Sequence, residues 1–154
     1  MNEADAQSAI PGVLVKSLKL LPNERGRLME VLRCDEPEFK GFGQAYITES
    51  LPTVVKAWYR HQHQTDHITC ITGLLKLVLY DDRSSSSEIR TEEVYLGELS
   101  PKLVVVPPGV WHGYQSVGPD SAFILHLNTE PYNFESPDEE RLDMNTTDIP
   151  YTWS

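Results

Sequence analysis

Cations are scarce in this chain. Its 154 residues carry 13 Lys and Arg against 23 Asp and Glu, a net charge of −10. A balance of that sign argues against the basic face that nucleic acid or an anionic membrane requires. It leaves room for a small phosphorylated ligand, which needs only a local cluster of cations. Cysteine is nearly absent: Cys34 and Cys70 form neither a metal-type nor a redox-type spacing, and such sparse use fits a reducing compartment. No apolar run approaches the roughly 18 residues of a membrane span. Met1 to Ser8 lack the basic segment followed by an apolar one that opens a secretory leader. The expectation is a soluble, cytoplasmic protein with no nucleic-acid or membrane partner. Long helical patterns are missing too. Nine Gly and eleven Pro interrupt the chain, and no window of about 11–18 residues holds a 3.6-residue apolar period.

What is present is enough apolar material for one core. The chain is 40% hydrophobic, with three Trp, seven Tyr and four Phe, which suits a single domain. Residues 1–10 are polar and read as a loose N-terminus, followed by one domain over 11–154. Strand-like segments fall at 13–20, 28–32, 43–48, 54–61, 68–71, 74–80, 92–96, 103–106, 114–117 and 122–127, with turns at 22–26 and Gly73. Four consecutive serines place a loop tip at 81–87. The acidic stretch 129–148 reads as a surface segment with a helical turn near 138–142, and the aromatic end 149–153 is expected to dock on the body. Many short strands with close turns predict an all-β sandwich or barrel.

Two segments carry chemistry. The first is His61-Gln62-His63-Gln64-Thr65-Asp66-His67, followed by the turn at Gly73; the second is Pro107-Pro108-Gly109-Val110-Trp111-His112. Together they resemble the two cupin motifs, HxH with a downstream carboxylate and Gly, then PxGxxH, with Ser116 where an Asn is expected. That resemblance implies a cupin-type jelly roll whose motif strands face one cavity. Alternation puts Tyr59, His61 and His63 on one side of a strand and Trp58 and Arg60 on the other. His126 shares a face with Ala122 and Ile124. Trp58 and Trp111 read as core.

Further blocks narrow the resemblance: Asn23-Glu24-Arg25-Gly26-Arg27-Leu28-Met29-Glu30, Phe42-Gly43-Gln44, Val54-Val55-Lys56-Ala57-Trp58-Tyr59 and Pro108-Gly109-Val110-Trp111-His112-Gly113-Tyr114. In this order they are similar to the dTDP-4-dehydrorhamnose 3,5-epimerases over about residues 11–153. The resemblance implies a metal-free cupin without cofactor, usually a homodimer, acting on a nucleotide-linked 4-keto-6-deoxyhexose. It also implies that Arg25 and Glu30 contact the nucleotide, that Gln44 lies on a substrate-lining strand, and that Lys56 stands where the family has a phosphate-pairing arginine. Lys56 and Tyr59 can both reach such a site only if their strand is bulged or twisted. The family's base is a His and its opposing acid a Tyr. Here those positions read Tyr59 and His126, and the chain ends before the expected supporting carboxylate.

Two explanations of that departure stand. Tyr59 and His126 have exchanged acid and base roles, with His112 or His61 as donor to the keto oxygen or member of the relay. Alternatively the site has moved to another isomerisation or to binding alone. Two other functions compete with the epimerase. One is a metal-dependent cupin, a dioxygenase or isomerase, with His61, His63 and His112 as ligands and Asp66 or His67 as the fourth. The other is a non-catalytic sugar-nucleotide binding protein.

Overall fold

The computed structural model describes residues 8–84 and 90–154. Among the described residues twelve strands succeed one another: β1 Leu14–Ser17, β2 Leu20–Asn23, β3 Gly26–Met29, β4 Gln44–Ser50, β5 Val55–Arg60, β6 Asp66–Thr72, β7 Leu74–Asp81, β8 Arg90–Gly97, β9 Lys102–Val106, β10 Trp111–Ser116, β11 Ala122–Asn128 and β12 Glu140–Arg141. Ten of them form two five-stranded sheets, β1-β9-β6-β11-β4 and β12-β5-β10-β7-β8, with β2-β3 a separate hairpin. The described residues contain no helix, and the all-β jelly-roll expectation holds. Among the described residues no helix is long and apolar enough to cross a membrane.

The core follows from the two-residue period of the strands. Ile68 and Cys70 of β6, Leu75, Leu77 and Leu79 of β7, Val104 and Val106 of β9 and Ile124 of β11 meet between the sheets. Each such side chain contributes about 1.5–3 kcal/mol by leaving water. Gly73 makes the β6–β7 turn with φ +81°, and a Cβ there would lie 2.6 Å from the Ser121 carbonyl oxygen. A second cluster forms on the outer face of the other sheet, where Trp58, Trp111 and Ile149 are buried with Tyr151 and Trp153 packed on them. The two tryptophans are core, as read, and the aromatic end docks.

Three expectations change. The segment 13–20 is not one strand: β1 ends at Ser17 and β2 begins at Leu20. Of the N-terminus read as loose, residues 1–7 lie outside the described set. Ser8 and Ile10 are fixed, because Ser8 Oγ bonds Glu92 at 2.7 Å and Ile10 is buried in the core. The helical turn near 138–142 is the strand β12, whose Glu140 and Arg141 pair with Arg60 and Tyr59. Ladder bonds to β5 and the Arg60–Glu140 pair at 2.6 Å outweigh the weak local preference of so short a segment. The serine loop at 81–87 falls partly on residues 85–89, outside the described set.

Candidate active site

One cavity of about 390 Å³ opens between the sheets. Tyr46 and Thr48 come from β4, Lys56 and Tyr59 from β5, Asp66 and Ile68 from β6, His112 and Tyr114 from β10, His126 from β11 and Arg141 from β12. His61 and Glu139 enter from loops. The strand order explains the gathering, since β4, β11 and β6 are neighbours in one sheet and β12, β5 and β10 in the other.

Lys56 and Tyr59 both face this cavity although three positions separate them. Opposite them on β10 stand Tyr114 and His112, only two positions apart, and the register shifts between those two pairs. The extra residue is a bulge in β5, which returns both side chains to one face. Gly113 permits the close approach: a Cβ there would lie 2.4 Å from that of Ala57.

Strand β5 ends at Arg60, so alternation does not extend to His61 and His63. The Asp138 carboxylate accepts bonds from the backbone N–H groups of Gln62, His63 and Gln64 at 2.8, 3.0 and 2.9 Å. This turn leaves His63 exposed while His61 points inward, its Nδ1 bonded to the Asp138 carbonyl. His67 is also outside the site. It is the neighbour of Asp66 on β6, faces the other way, and lies fully buried with Nδ1 2.7 Å from the Leu127 carbonyl and Nε2 3.0 Å from that of Glu38. Of the five residues read as possible metal ligands, His61, Asp66 and His112 converge, with one donor atom each within 4.8 Å of one another. His63 and His67 do not join them.

Asp66 organises that trio. Its Oδ2 lies 2.9 Å from His112 Nε2 and 3.3 Å from His61 Nε2, and its Oδ1 accepts from the Gln64 amide at 2.5 Å. Burial opposes the carboxylate's charge, but the two imidazoles outweigh it and hold the group well below the usual carboxylate range. Burial likewise opposes a charged His61, yet the bond and charge of Asp66, with the Asp138 carbonyl, push it up to about 9.

His126 is set differently. Burial, aided by His112 and Lys56, pushes it down to about 4 against the pull of Asp66. It is a neutral imidazole at pH 7. Its Nε2 lies 2.9 Å from Thr48 Oγ1, and its ring stacks on Tyr46 with centroids 4.5 Å apart. Tyr114 OH, 3.4 Å from the same Thr48 oxygen, is pushed by burial to about 12.

Two cations meet this cavity. Lys56 Nζ donates to the Glu49 carbonyl at 2.6 Å, and the Arg141 guanidinium sits 5.5 Å from the Tyr59 ring centre while pairing with Glu139 at 2.6 Å. An adjoining cavity of about 350 Å³ shares Tyr46, His61 and Glu139 and adds Gln44, Tyr132 and Phe134. Arg25 and Glu30 are not brought to either. Arg25 lies exposed at the β2–β3 turn beside Glu24, and Glu30 pairs with Arg33 at 3.2 Å.

The sequence reading missed Tyr46, Thr48, Tyr114, Glu139 and Arg141. The two-residue period carried signals for three of them: Gln44 implies Tyr46 and Thr48, and His112 implies Tyr114. Nothing local marked Arg141, because its strand exists only through pairing with β5.

Comparison with known proteins finds relatives over nearly the whole chain. Residues 7–154 match the family model described as dTDP-4-dehydrorhamnose 3,5-epimerase. The spore coat polysaccharide biosynthesis protein SpsL of Bacillus subtilis (strain 168) is 38% identical over 146 residues, 94% of this chain and 97% of that protein. The probable low-salt glycan biosynthesis epimerase Agl13 of Haloferax volcanii is 33% identical over 148 residues, covering 94% and 95%. A crystal structure of a dTDP sugar isomerase from Desulfovibrio desulfuricans G20 superposes with a TM-score of 0.87 at 33% identity, covering 94% of this chain and 92% of that one. The chain belongs to the dTDP-4-dehydrorhamnose 3,5-epimerase family, whose members are sugar-nucleotide epimerases.

Proposed function

We propose that this epimerase acts on a dTDP-linked 4-keto-6-deoxyhexose, with His126 and Tyr59 as the proton-transfer pair on opposite walls of the cavity. The observation that carries the reading is this pair. A neutral imidazole on β11 faces a phenol on β5, each at the position where the resemblance puts the other's kind. The 4-keto group acidifies the hydrogens at C3 and C5. His126 takes one of them as a proton, leaving an enolate, and the Tyr59 hydroxyl returns a proton to the opposite face of that carbon. The neutral imidazole of His126 takes the base's part, which leaves the acid's part to the Tyr59 hydroxyl. Solvent then restores both groups. His61 and His112 line the same cavity and are suited to meet the enolate oxygen as hydrogen-bond partners.

Lys56 and Arg141 are suited to the diphosphate. Lys56 acts as a point charge, and Arg141 offers the planar fork that a lysine lacks. The adjoining cavity, with Gln44 and the Tyr132–Phe134 aromatic pair at 4.9 Å, suits the nucleoside. Arg25 and Glu30 stand away from their own chain's cavity, so the reading includes a homodimer in which a second copy supplies them. Ile47, Ile71 and Phe123, exposed on the outer face of the β6-β11-β4 strands, offer the apolar surface for it. The unpaired Cys34 and Cys70 support a cytoplasmic setting.

The test is incubation of dTDP-4-keto-6-deoxyglucose with the protein in deuterated buffer. Deuterium entering C3 or C5 supports the reading. Saturable binding with both carbon-bound hydrogens retained leaves only a binding protein.

A further inference from the structure

A second hollow lies behind one wall of the cavity between the sheets. Strand β5 turns Tyr59 to that cavity and Arg60 away from it, and β10 does the same with His112 and Trp111. On the outer face Arg60 and Trp111 line a hollow of about 490 Å³. That size falls within the roughly 300–1,000 Å³ of small-molecule sites, and the proton transfer proposed above makes no use of it.

The hollow holds donors with nothing to donate to. Tyr80 and Trp111 both line it and are only 5% and 4% exposed. Neither the Tyr80 hydroxyl nor the Trp111 indole N–H has a hydrogen-bond partner among the described residues. Buried donors are normally matched. Burial, with the carboxylates of Asp82, Asp148 and Asp81, pushes the Tyr80 phenol up, so it keeps its proton.

The same hollow holds acceptors with capacity to spare. The Asp148 side chain has no hydrogen bond or ion pair among the described residues. Asp82 and Glu140 each hold the Arg60 guanidinium, at 3.2 and 2.6 Å, and that guanidinium lies 4.3 Å from the centre of the Trp111 ring. Arg141, also at the hollow, is paired with Glu139.

These groups select the ligand. An anion meets three carboxylates and finds both guanidinium groups already engaged. A simple ammonium would satisfy Asp148 but offers Tyr80 and Trp111 no acceptor. A hydroxyl both accepts and donates, so a ligand with several hydroxyls answers both sets. Leu142 and Ile149 add an apolar side for the C–H face of a ring.

We propose that this outer hollow binds a pyranose sugar, with Tyr80 and Trp111 donating to its oxygens and Asp148 and Asp82 accepting from its hydroxyls. The surface offered for the homodimer belongs to the other sheet, so this face stays open. The binding does not depend on the epimerase reading. The preference for a 6-deoxyhexose does, because that reading makes such a sugar the enzyme's own product class.

The probe is methyl α-L-rhamnopyranoside, followed by saturation-transfer NMR on the full chain with thymidine diphosphate at saturation. A saturable signal is expected. Tyr80→Phe, which removes only the hydroxyl, and Asp148→Asn should each weaken binding at least about fivefold, whereas His63→Asn should not change it. Asp148 is exposed, so its variant carries the comparison even if Tyr80→Phe disturbs the buried ring. No saturable signal with this probe or with methyl α-D-glucopyranoside overturns the site, as does binding unchanged in both variants. Equal affinity for the two glycosides keeps the site and removes the deoxyhexose preference. Deuterium exchange into the nucleotide sugar should be unaltered in both variants. Absence of exchange in the parent removes the epimerase reading and leaves the hollow standing, and absence of glycoside binding does the reverse.

Discussion

The Thr48 hydroxyl lies 2.9 Å from His126 Nε2 on the wall of the cavity. Thr48 in turn lies 3.4 Å from Tyr114 OH, so a chain of three polar groups runs along the cavity wall. Thr48→Val keeps the shape and removes the hydroxyl. The expected result is kcat about tenfold lower, with nucleotide binding unchanged and stability lowered by about 0.5–1.5 kcal/mol. Steady-state kinetics with a thymidine diphosphate titration separates these effects.

Two histidines bias stability in opposite directions. His126 titrates near 4 in the fold and near 6.5 when unfolded, so the unfolded chain binds the proton first and stability falls as pH drops from about 6.5 to 4. His61 titrates near 9 in the fold, so its contribution is complete below about 6.5 and is lost as pH rises through 9. Each is worth up to about 3 kcal/mol. The protein should be most stable near pH 6.5, and denaturant midpoints from pH 4 to 9 check the dome.

Lys56 and Arg141 line one cavity from adjacent strands. Replacing either by Met should weaken thymidine diphosphate binding about tenfold, and the loss should shrink as salt is raised. Calorimetric titration at two ionic strengths measures both.

The C-terminal segment holds the outer face of its sheet. Ile149 is buried against Trp58 and Trp111, and Ile149→Ala should cost about 2–5 kcal/mol. The Ser154 carbonyl accepts from Gln115 at 2.9 Å, tying the same segment to β10. Chemical denaturation gives the magnitude, and unaltered nucleotide affinity is expected because Ile149 does not line the cavity.

The strands were legible because apolar alternation and glycine turns are local signals. The facing of Ala122, Ile124 and His126 came directly from that period, and all three are buried in one row. What was not legible was set by long-range pairing. The bulge that brings Lys56 and Tyr59 together exists only against β10, and β12 with its Arg141 exists only against β5. The HxH pattern misplaced His63 because a carboxylate 75 residues away ends the alternation there. Asp66 was read only as one of two candidates for a fourth ligand, yet it stands between the two imidazoles.

The central claim is that His126 and Tyr59 move the proton across the cavity. Its most direct test is the rate of deuterium entry at C3 and C5 for His126→Asn and Tyr59→Phe, each compared with the parent at equal nucleotide occupancy. The account predicts that His126→Asn slows exchange by about 100-fold or more without changing thymidine diphosphate affinity. Tyr59→Phe should retain measurable exchange with inversion strongly reduced. Exchange and inversion at parental rates in both variants would contradict it.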